Sequence, residues 1–363
     1  MISEEGPRIV YWLGAGASAN SLPVVGEMPA AFRTQRLLLK HELGQDGAFV
    51  REHDGQRYGE YLERMAQWSI EYGTIDIYAR SLYLMNKSYD LAELKFHLGM
   101  FFLLVQALPY AHVFPADHHA PKYSKRDRID TRYMGWLALL MERDSGFSKR
   151  VNVISWNYDL QLEQAVAIFR DYPDLSSLHS DHHISIYPRP TSDPTACSKP
   201  PTLVRLNGVA GHADLGSTLR ALYNTLHAKR GSRSEYIKSL FGFYKEYDKR
   251  EQVALYSMKK TLNFAWEDNP SSKEALRLAT IAMSQAKVLV VIGYSFPSFN
   301  RVVDKALYKT FMTGNLEEKK VVLQNPSLSV DTFRQMMGQN SSVPRVVSET
   351  NTDQFHLPPE LFN

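Results

Sequence analysis

Five continuous runs of apolar residues, separated by segments with helical periodicity, constrain the fold of this 363-residue chain more than any other feature. The runs are rich in valine, isoleucine and leucine, and most lack the polar–apolar alternation of a half-exposed strand. They are Ile9–Leu13, Val151–Ser155, Leu203–Leu206, Val288–Ile292 and Lys320–Leu323, with a further candidate at Arg345–Val347. Strands covered on both faces are typical of parallel sheets. The pattern therefore predicts an α/β fold, a Rossmann-like parallel sheet with helices on both faces and a mostly helical insertion.

Helical patterns fill the segments between these runs. We predict helices at Ala30–Glu42, Glu60–Gln67, Ile75–Met85, Leu91–Leu108, Tyr133–Arg143, Leu160–Arg170, Ser217–Ala228, Ser234–Tyr247 and Ser272–Ser284. Two connections are longer than one crossover helix requires, which predicts helical insertions at about 43–130 and 213–285. The Rossmann-like core is then expected at about 7–42, 131–212 and 286–350, within a single domain spanning 1–363. Ala111–Asp127 and the Ser-, Pro-, His- and Asp-rich Asp171–Pro201 are predicted to be irregular loops.

Composition excludes several classes of protein. The formal net charge of +3 is too small to argue for direct nucleic-acid binding. The single cysteine, Cys197, leaves no partner for an internal disulfide and cannot build a multi-cysteine zinc site. The first residues lack the basic and apolar regions of a signal peptide, and the apolar stretch Leu98–Leu108 is too short for a bilayer. A cytoplasmic protein without a membrane segment is expected.

A glycine-rich turn follows the first predicted strand. The spacing Gly14-x-Gly16-x-x-Ala19 fits the dinucleotide-binding fingerprint, in which glycines let the backbone approach a pyrophosphate. An ordinary dehydrogenase would carry an acidic residue at the end of a second strand about 20 residues later. The corresponding segment, Phe32–Lys40, instead looks helical, which weighs against a nicotinamide oxidoreductase but not against nucleotide binding.

Polar residues follow the second and third predicted strands. Asn157 and Asp159 come after Val151–Ser155, where they either face a ligand or cap the next helix. Asn207 and Gly208 end the third strand, where Asn-Gly also favours a plain turn. His212 lies four residues further along and is a candidate only because of this position.

The last two strands have similar endings. Gly293 and Ser295 follow Val288–Ile292, and Asn325 follows Lys320–Leu323. An asparagine side chain carries both donors and an acceptor, so it suits an adenine edge or ribose hydroxyls. Five strand ends of this kind predict one polar site at the carboxyl edge of the sheet.

Together these motifs resemble the bacterial sirtuin-like family. The matching segments are Gly14–Ser18, Trp156–Asp159, Leu206–Gly208, Gly293–Phe296 and Asn325–Pro326, in the family's order across residues 8–326. The resemblance implies NAD as substrate, no zinc, and a pyrophosphate cradle at Gly14–Ser18. It also implies that Asn157 orients water at the nicotinamide ribose, while Ser295 and Asn325 contact the adenosine side. The residues expected to contact NAD are Gly14, Ala15, Gly16, Ala17, Ser18, Gly208, Gly293, Tyr294, Ser295 and Asn325.

One position departs from the family pattern. Asn207 stands where the family has its catalytic histidine, so the general base is missing or has moved. His212 is the nearest replacement in sequence, and Asp159 is another if it is partly desolvated. His179, His182 and His183 are further candidates.

The resemblance leaves two functions open. The first is an NAD⁺ glycohydrolase that releases nicotinamide and ADP-ribose as an antiphage effector. The second is a weakly active or inactive scaffold that binds NAD or ADP-ribose and regulates a partner. The resemblance also implies a homo-oligomer and a HerA-type ATPase or an Argonaute-like protein as partner. Lysine deacylation is disfavoured because the zinc cysteines are absent. The aromatic- and Met-rich helices within 75–108 and 234–247 indicate either a partner surface or the domain's own core.

Overall fold

A computed structural model describes residues 6–45, 52–107, 129–142, 146–172, 184–188, 202–210, 262–264, 266–339 and 344–362, with Leu175 and Leu178. Its strands are β1 (Arg8–Leu13), β2 (Met141–Glu142), β3 (Gly146–Phe147), β4 (Val151–Ser155), β5 (Ile186–Tyr187), β6 (Leu203–Arg205), β7 (Ala286–Ile292), β8 (Lys320–Gln324) and β9 (Arg345–Ser348). Seven of them form a sheet in the order β5-β6-β4-β1-β7-β8-β9, and every neighbouring pair in it is parallel. The fold class predicted from the apolar runs is confirmed.

Helices and short 3-10 turns connect the strands. The α-helices in the described ranges are α1 (Met28–Gln45), α2 (Glu52–Glu71), α3 (Ile75–Leu84), α4 (Ser88–Ala107), α5 (Thr131–Leu140), α6 (Gln161–Phe169), α7 (Pro270–Gln285), α8 (Arg301–Phe311) and α9 (Val330–Met337). Side-chain hydroxyl, carboxyl or amide groups cap the first turns of α3, α5, α7 and α9. Such caps satisfy the otherwise unpaired first amides of a helix.

Both faces of the sheet are covered, as its continuous apolar strands require. On one face, Val10 and Trp12 of β1 belong to a buried cluster with α7, α8 and α9. On the other face, Ile9, Tyr11 and Leu13 pack in a cluster with α5 and α6. Because successive strand side chains point to opposite faces, one apolar strand supplies both layers.

The strand order reverses direction at β1. Along the chain the sheet grows from β1 through β4 to β5 and β6 on one side, and through β7, β8 and β9 on the other. In open α/β sheets ligands bind outside the carboxyl ends of the strands at such a switch point. A ligand site is therefore expected at the crevice between the carboxyl ends of β1 and β7.

A helical layer built from α1, α2, α3 and α4 covers this edge with its own apolar cluster. Helix α4 is buried at every position from Leu94 to Gln106, which explains its high content of Phe, Leu and Met. The aromatic and Met residues of 94–106 therefore belong to the core of the domain and not to a surface for a partner. Helix α1, which the sequence assigned to the Rossmann-like core, packs through Phe32 and Leu38 in the helical cluster.

His97 makes this helical layer sensitive to acid. Burial lowers the pKa of His97 to about 3, and its ring stacks on Tyr61 with centroids 3.5 Å apart. In the unfolded chain His97 takes up a proton near pH 6.5, so the contribution of its buried neutral ring to stability is complete above that pH. As the pH falls below about 6.5, this contribution decreases by about 1.4 kcal/mol for each pH unit. Between pH 7.5 and pH 5.5 we expect the wild type to lose about 1.4 kcal/mol more stability than His97→Phe. Denaturant unfolding followed by circular dichroism at both pH values measures this, and equal losses would contradict it.

Other parts of the structure differ from the sequence analysis. Strand β5 lies inside Asp171–Pro201, which was predicted to be irregular throughout; with only two residues it carries no periodicity. Helix α5 ends at Leu140 instead of Arg143, because the chain enters the β2–β3 hairpin. Ser217–Ala228, Ser234–Tyr247 and Ala111–Asp127 lie outside the described residues. None of the helices in the described ranges combines the length and apolarity that a membrane crossing requires.

Candidate functional site

A cleft of about 260 Å³ opens at the carboxyl edge of the sheet, at the switch point. This volume is close to the lower limit of small-molecule sites, about 300 Å³, so the cleft suits one end of an extended ligand. Its walls come from the turn after β1, the ends of β4, β6 and β7, and the helical layer. The lining residues are Ala15, Ser18, Leu22, Pro23, Val25, Met28, Thr74, Ile75, Asp76, Phe102, Trp156, Asn157, Tyr158, Asp159, Asn207, Gly293, Tyr294, Ser295, Pro297, Phe299 and Asn300.

Glycines let the turns after β1 and β7 touch. A Cβ on Gly14 would lie 2.5 Å from the Tyr294 Cα atom, and one on Gly16 would lie 2.6 Å from the Gly293 Cα atom. Gly293 has a φ of +61°, and a Cβ there would lie 2.4 Å from the Gly16 backbone. From their spacing, Gly14 and Gly16 are predicted to let the backbone approach a pyrophosphate. The structure explains them by the contact between two turns.

Most amides of the turn after β1 are already used inside the protein. Gly14 N donates to the Ile292 carbonyl at 3.0 Å and Gly16 N to the Gly293 carbonyl at 2.9 Å, while Ala17 N donates to Gly14. Ala17 is buried. Ala15 and Ser18 are the members of the turn that line the cleft. The predicted cradle therefore offers those two residues to a ligand, and not the Gly16 amide.

An arginine from α5 fixes the same turn from outside. Arg132 Nη2 donates to the Gly16 carbonyl at 2.9 Å and pairs with Asp130 Oδ2 at 2.5 Å. Asp130 also accepts from the Asn20 backbone amide at 3.1 Å. This ion pair ties the start of α5 to the middle of the turn at Gly16 and to Asn20 just after it.

Asn157, which the sequence predicts to be a site residue, is among the residues that line the cleft. Its Nδ2 donates to the Gly14 carbonyl at 3.0 Å, and its backbone carbonyl accepts from Arg205 Nη1 at 3.1 Å. In the described part of the chain no donor is recorded for its Oδ1 atom. Asn157 is thus held on two sides, with one acceptor left for a water molecule or a hydroxyl group.

Beneath Asn157 lies a buried ion pair between β6 and α6. Arg205 Nε donates to Glu163 Oε1 at 2.8 Å, and Arg205 Nη2 also pairs with Glu163 Oε2. The two side chains are 2% and 1% exposed. Sequence reasoning missed both residues, although a charged residue inside an apolar strand run was a signal that could have drawn attention to Arg205.

Asp159 combines capping with a place in the cleft wall. Its Oδ1 accepts from the Gln161 amide at 3.0 Å, at the start of α6. Burial raises the pKa of Asp159, whereas the Arg205 charge and a hydrogen bond from Ser18 oppose that rise. Ser18 Oγ lies 3.3 Å from the Tyr133 hydroxyl. The Ser18 hydroxyl therefore acts on both the Tyr133 hydroxyl and this carboxyl group.

Asn207 occupies the position where the resemblance implies a histidine. It lines the cleft. Its side-chain Nδ2 donates to the Trp156 carbonyl at 2.9 Å, and its backbone carbonyl accepts from the Asn263 backbone amide. Gly208 has a φ of +67° and pairs with Leu262 in an isolated bridge. Because its amide has no basic nitrogen, Asn207 is unsuited to be a general base. His212, His179, His182 and His183 lie outside the described residues.

The turn after β7 forms the opposite wall. Tyr294 stacks on Trp156 with centroids 5.7 Å apart, and its hydroxyl donates to the buried Asp304. Asn325 donates from Nδ2 to the Tyr294 carbonyl at 2.9 Å, and its Oδ1 accepts from the Ser327 amide. Among the described residues, Gly293, Tyr294 and Ser295 line the cleft, whereas Asn325 supports their turn from behind.

The helical layer contributes an acid that sequence reasoning missed. Asp76, the second residue of α3, lines the cleft and is 9% exposed. Its Oδ1 accepts from the Tyr158 hydroxyl at 2.5 Å. Burial raises the pKa of Asp76, and the bond from Tyr158 opposes that rise. The sequence pattern at Thr74–Asp76 predicts the start of a helix but gives no indication that these residues line a cleft.

The ionisable groups that line the described cleft are acidic and not basic. Among the described lining residues the carboxyl groups are Asp76 and Asp159, and no lysine or arginine lines it. Aromatic side chains supply much of the remaining wall. Such a surface favours a flat ring and a developing positive charge. Within the described ranges no group of His, Cys, Asp or Glu side chains is arranged to hold a metal ion.

Comparison with known proteins adds no family assignment. The sequence matches no protein-family model, and a search of curated proteins finds no match. The case for function therefore depends on the geometry of the cleft.

Proposed function

We propose that the protein is an NAD⁺ glycohydrolase, which cleaves the nicotinamide–ribose bond and releases nicotinamide and ADP-ribose. The observation that carries the proposal is the convergence of strand ends on one cleft. Ser18, Asn157, Asn207 and Ser295 follow four different strands, yet they line the same space at the switch point. This is where α/β proteins bind nucleotides.

The proposed roles follow from the contacts of each residue. Asn157, held by Gly14 and Arg205, keeps an acceptor for water or a ribose hydroxyl. Departure of nicotinamide leaves positive charge on the ribose. Among its described lining residues the cleft has two carboxyl groups and no lysine or arginine, a lining that stabilises that charge. Ala15 and Ser18 are expected to face the pyrophosphate, and Gly293–Ser295 the adenosine side.

A second function is favoured by one observation. Asn207 cannot act as a base, and its side chain is tied to the Trp156 carbonyl. A weakly active or inactive subunit that binds NAD or ADP-ribose and regulates a partner would tolerate this change. Calorimetry that finds tight binding without nicotinamide release would support this second function.

The first test is nicotinamide release from NAD by the purified protein, measured by chromatography. We expect Asn157→Ala to lower the rate about 10²-fold, because removing one positioned polar group from an active site has an effect of that size. Asn315→Ala is a matched control. Asn315 is exposed and lies just before β8, at the opposite edge of the sheet.

Two results together would refute the proposed hydrolase activity. The purified protein would release no nicotinamide, either alone or with a candidate partner, and Asn157→Ala would bind NAD as tightly as the wild type.

The proposed cellular role is depletion of NAD during phage infection, by a homo-oligomer or with a HerA-type ATPase or an Argonaute-like protein. Its support is the sequence resemblance. Expression of the wild type and of Asn157→Ala during phage challenge tests it, with intracellular NAD as the readout.

A further inference from the structure

The proposed hydrolysis needs a group that takes a proton from the attacking water, and Asn207 cannot supply it. Among the described cleft residues two carboxyl groups remain as candidates, Asp76 and Asp159. They differ in how their oxygens are engaged by the protein.

Asp159 is engaged on several sides. It caps α6 through the Gln161 amide, and the Arg205 guanidinium and the Ser18 hydroxyl both lower the pKa of its carboxyl group. These interactions hold Asp159 as part of the framework under Asn157.

Asp76 has fewer partners. The Tyr158 hydroxyl donates to Oδ1, and the residue's own backbone amide at the start of α3 lowers the pKa of the carboxyl group. No ion pair to Asp76 is recorded in the described part of the chain. Helix α3 thus delivers a nearly buried carboxylate to the cleft without a cation to neutralise it.

The link between Asp76 and the sheet is also direct. Tyr158 lies between Asn157 and Asp159 in sequence, so its hydroxyl connects the acid from the helical layer to the strand end that carries the proposed water site. One hydrogen bond therefore links Asp76 to the residue next to Asn157.

We propose that Asp76, oriented by Tyr158, is the general base of the cleft. This inference rests on the proposed NAD⁺ hydrolysis. The C1′–N bond breaks with its electron pair going to the nicotinamide nitrogen. The oxygen of a water molecule then bonds to C1′ and gives one proton to the Asp76 carboxylate, which later releases it to solvent. One NAD⁺ and one water thus yield nicotinamide, ADP-ribose and a proton.

This role predicts how the rate depends on pH. A base must be deprotonated, so the rate should rise with pH through the pKa of Asp76, which burial raises above its ordinary value. Among the described residues, the titratable groups that line the cleft with Asp76 are Tyr158, Asp159 and Tyr294. Glu267 acts on Tyr158 from outside the cleft. Because the Tyr158 bond lowers the pKa of Asp76, Tyr158→Phe should move the acidic limb to higher pH.

The test is kcat for nicotinamide release over a pH series, with NAD affinity measured separately by calorimetry. We expect Asp76→Asn to lower kcat about 10²-fold and to remove the acidic limb, with affinity changed less than about threefold. Asp331→Asn is the matched control. Asp331 is also the second residue of a capped helix, α9, but it is exposed. Thermal melting checks that each variant folds.

The results separate this inference from the proposed function. If the wild type releases nicotinamide and Asp76→Asn keeps its kcat and acidic limb, the base is another group and the inference falls alone. If the wild type releases none, the proposed hydrolase and its base fall together. If Asp76→Asn fails to fold, the shift of the limb in Tyr158→Phe decides, and an unshifted limb rejects Asp76.

Discussion

Alanine at position 293 is expected to destabilise the protein by about 3 kcal/mol. A residue with a side chain at this φ of +61° costs about 1 kcal/mol, and a Cβ 2.4 Å from the Gly16 backbone adds about 2 kcal/mol of overpacking. The contact is backbone against backbone, so no flexible side chain can move aside. Denaturant unfolding measures the change, and NAD binding should weaken because the turns after β1 and β7 are forced apart.

Gly338→Ala separates backbone strain from steric overlap. Gly338 ends α9 with a φ of +72°, but a Cβ there would have no neighbour within 4 Å. We expect this control to cost only about 1 kcal/mol. If both alanine variants lose the same stability, the close contact between the two turns is not what requires glycine at 293.

Replacement of Arg205 by methionine is expected to destabilise the protein by about 3–5 kcal/mol. The variant leaves Glu163, which is 1% exposed, as a buried charge without its cation. It also removes the donor to the Asn157 carbonyl, so it should reduce NAD affinity as well as stability. Thermal and denaturant unfolding measure the stability change, and calorimetry measures the affinity.

Two further variants show whether the uncompensated charge causes this loss. Arg277→Met breaks the pair between Arg277 and Glu274, whose side chains are 50% and 19% exposed. It should cost no more than about 1 kcal/mol. Adding Glu163→Leu to Arg205→Met should recover part of the stability, since an apolar pair can replace a buried ion pair. If Arg205→Met proves as mild as Arg277→Met, the pair does not stabilise the framework under Asn157.

Asp76 and Asn325 show how much of the candidate site can be predicted from local sequence patterns. Asn325 follows a strand end, so the sequence placed it at the correct edge, but its amide turns to the Tyr294 carbonyl behind the cleft wall. Asp76 lies in the segment predicted to be a helical insertion, and it lines the cleft because the start of α3 lies across this space from the strand ends. Strand-end patterns identify an edge. They do not show which side chains point into the space beside it.

The sequence by itself determined the parallel sheet, its main strands and the edge on which the candidate site is proposed. Continuous apolar runs have to be covered on both faces, and parallel strands bring their carboxyl ends together. Only the tertiary structure decided that Gly14, Gly16 and Gly293 serve a contact between two turns, and that Arg205 and Asp76 support or enter the cleft. These features depend on distances between segments far apart in the chain, which no local pattern of residues records.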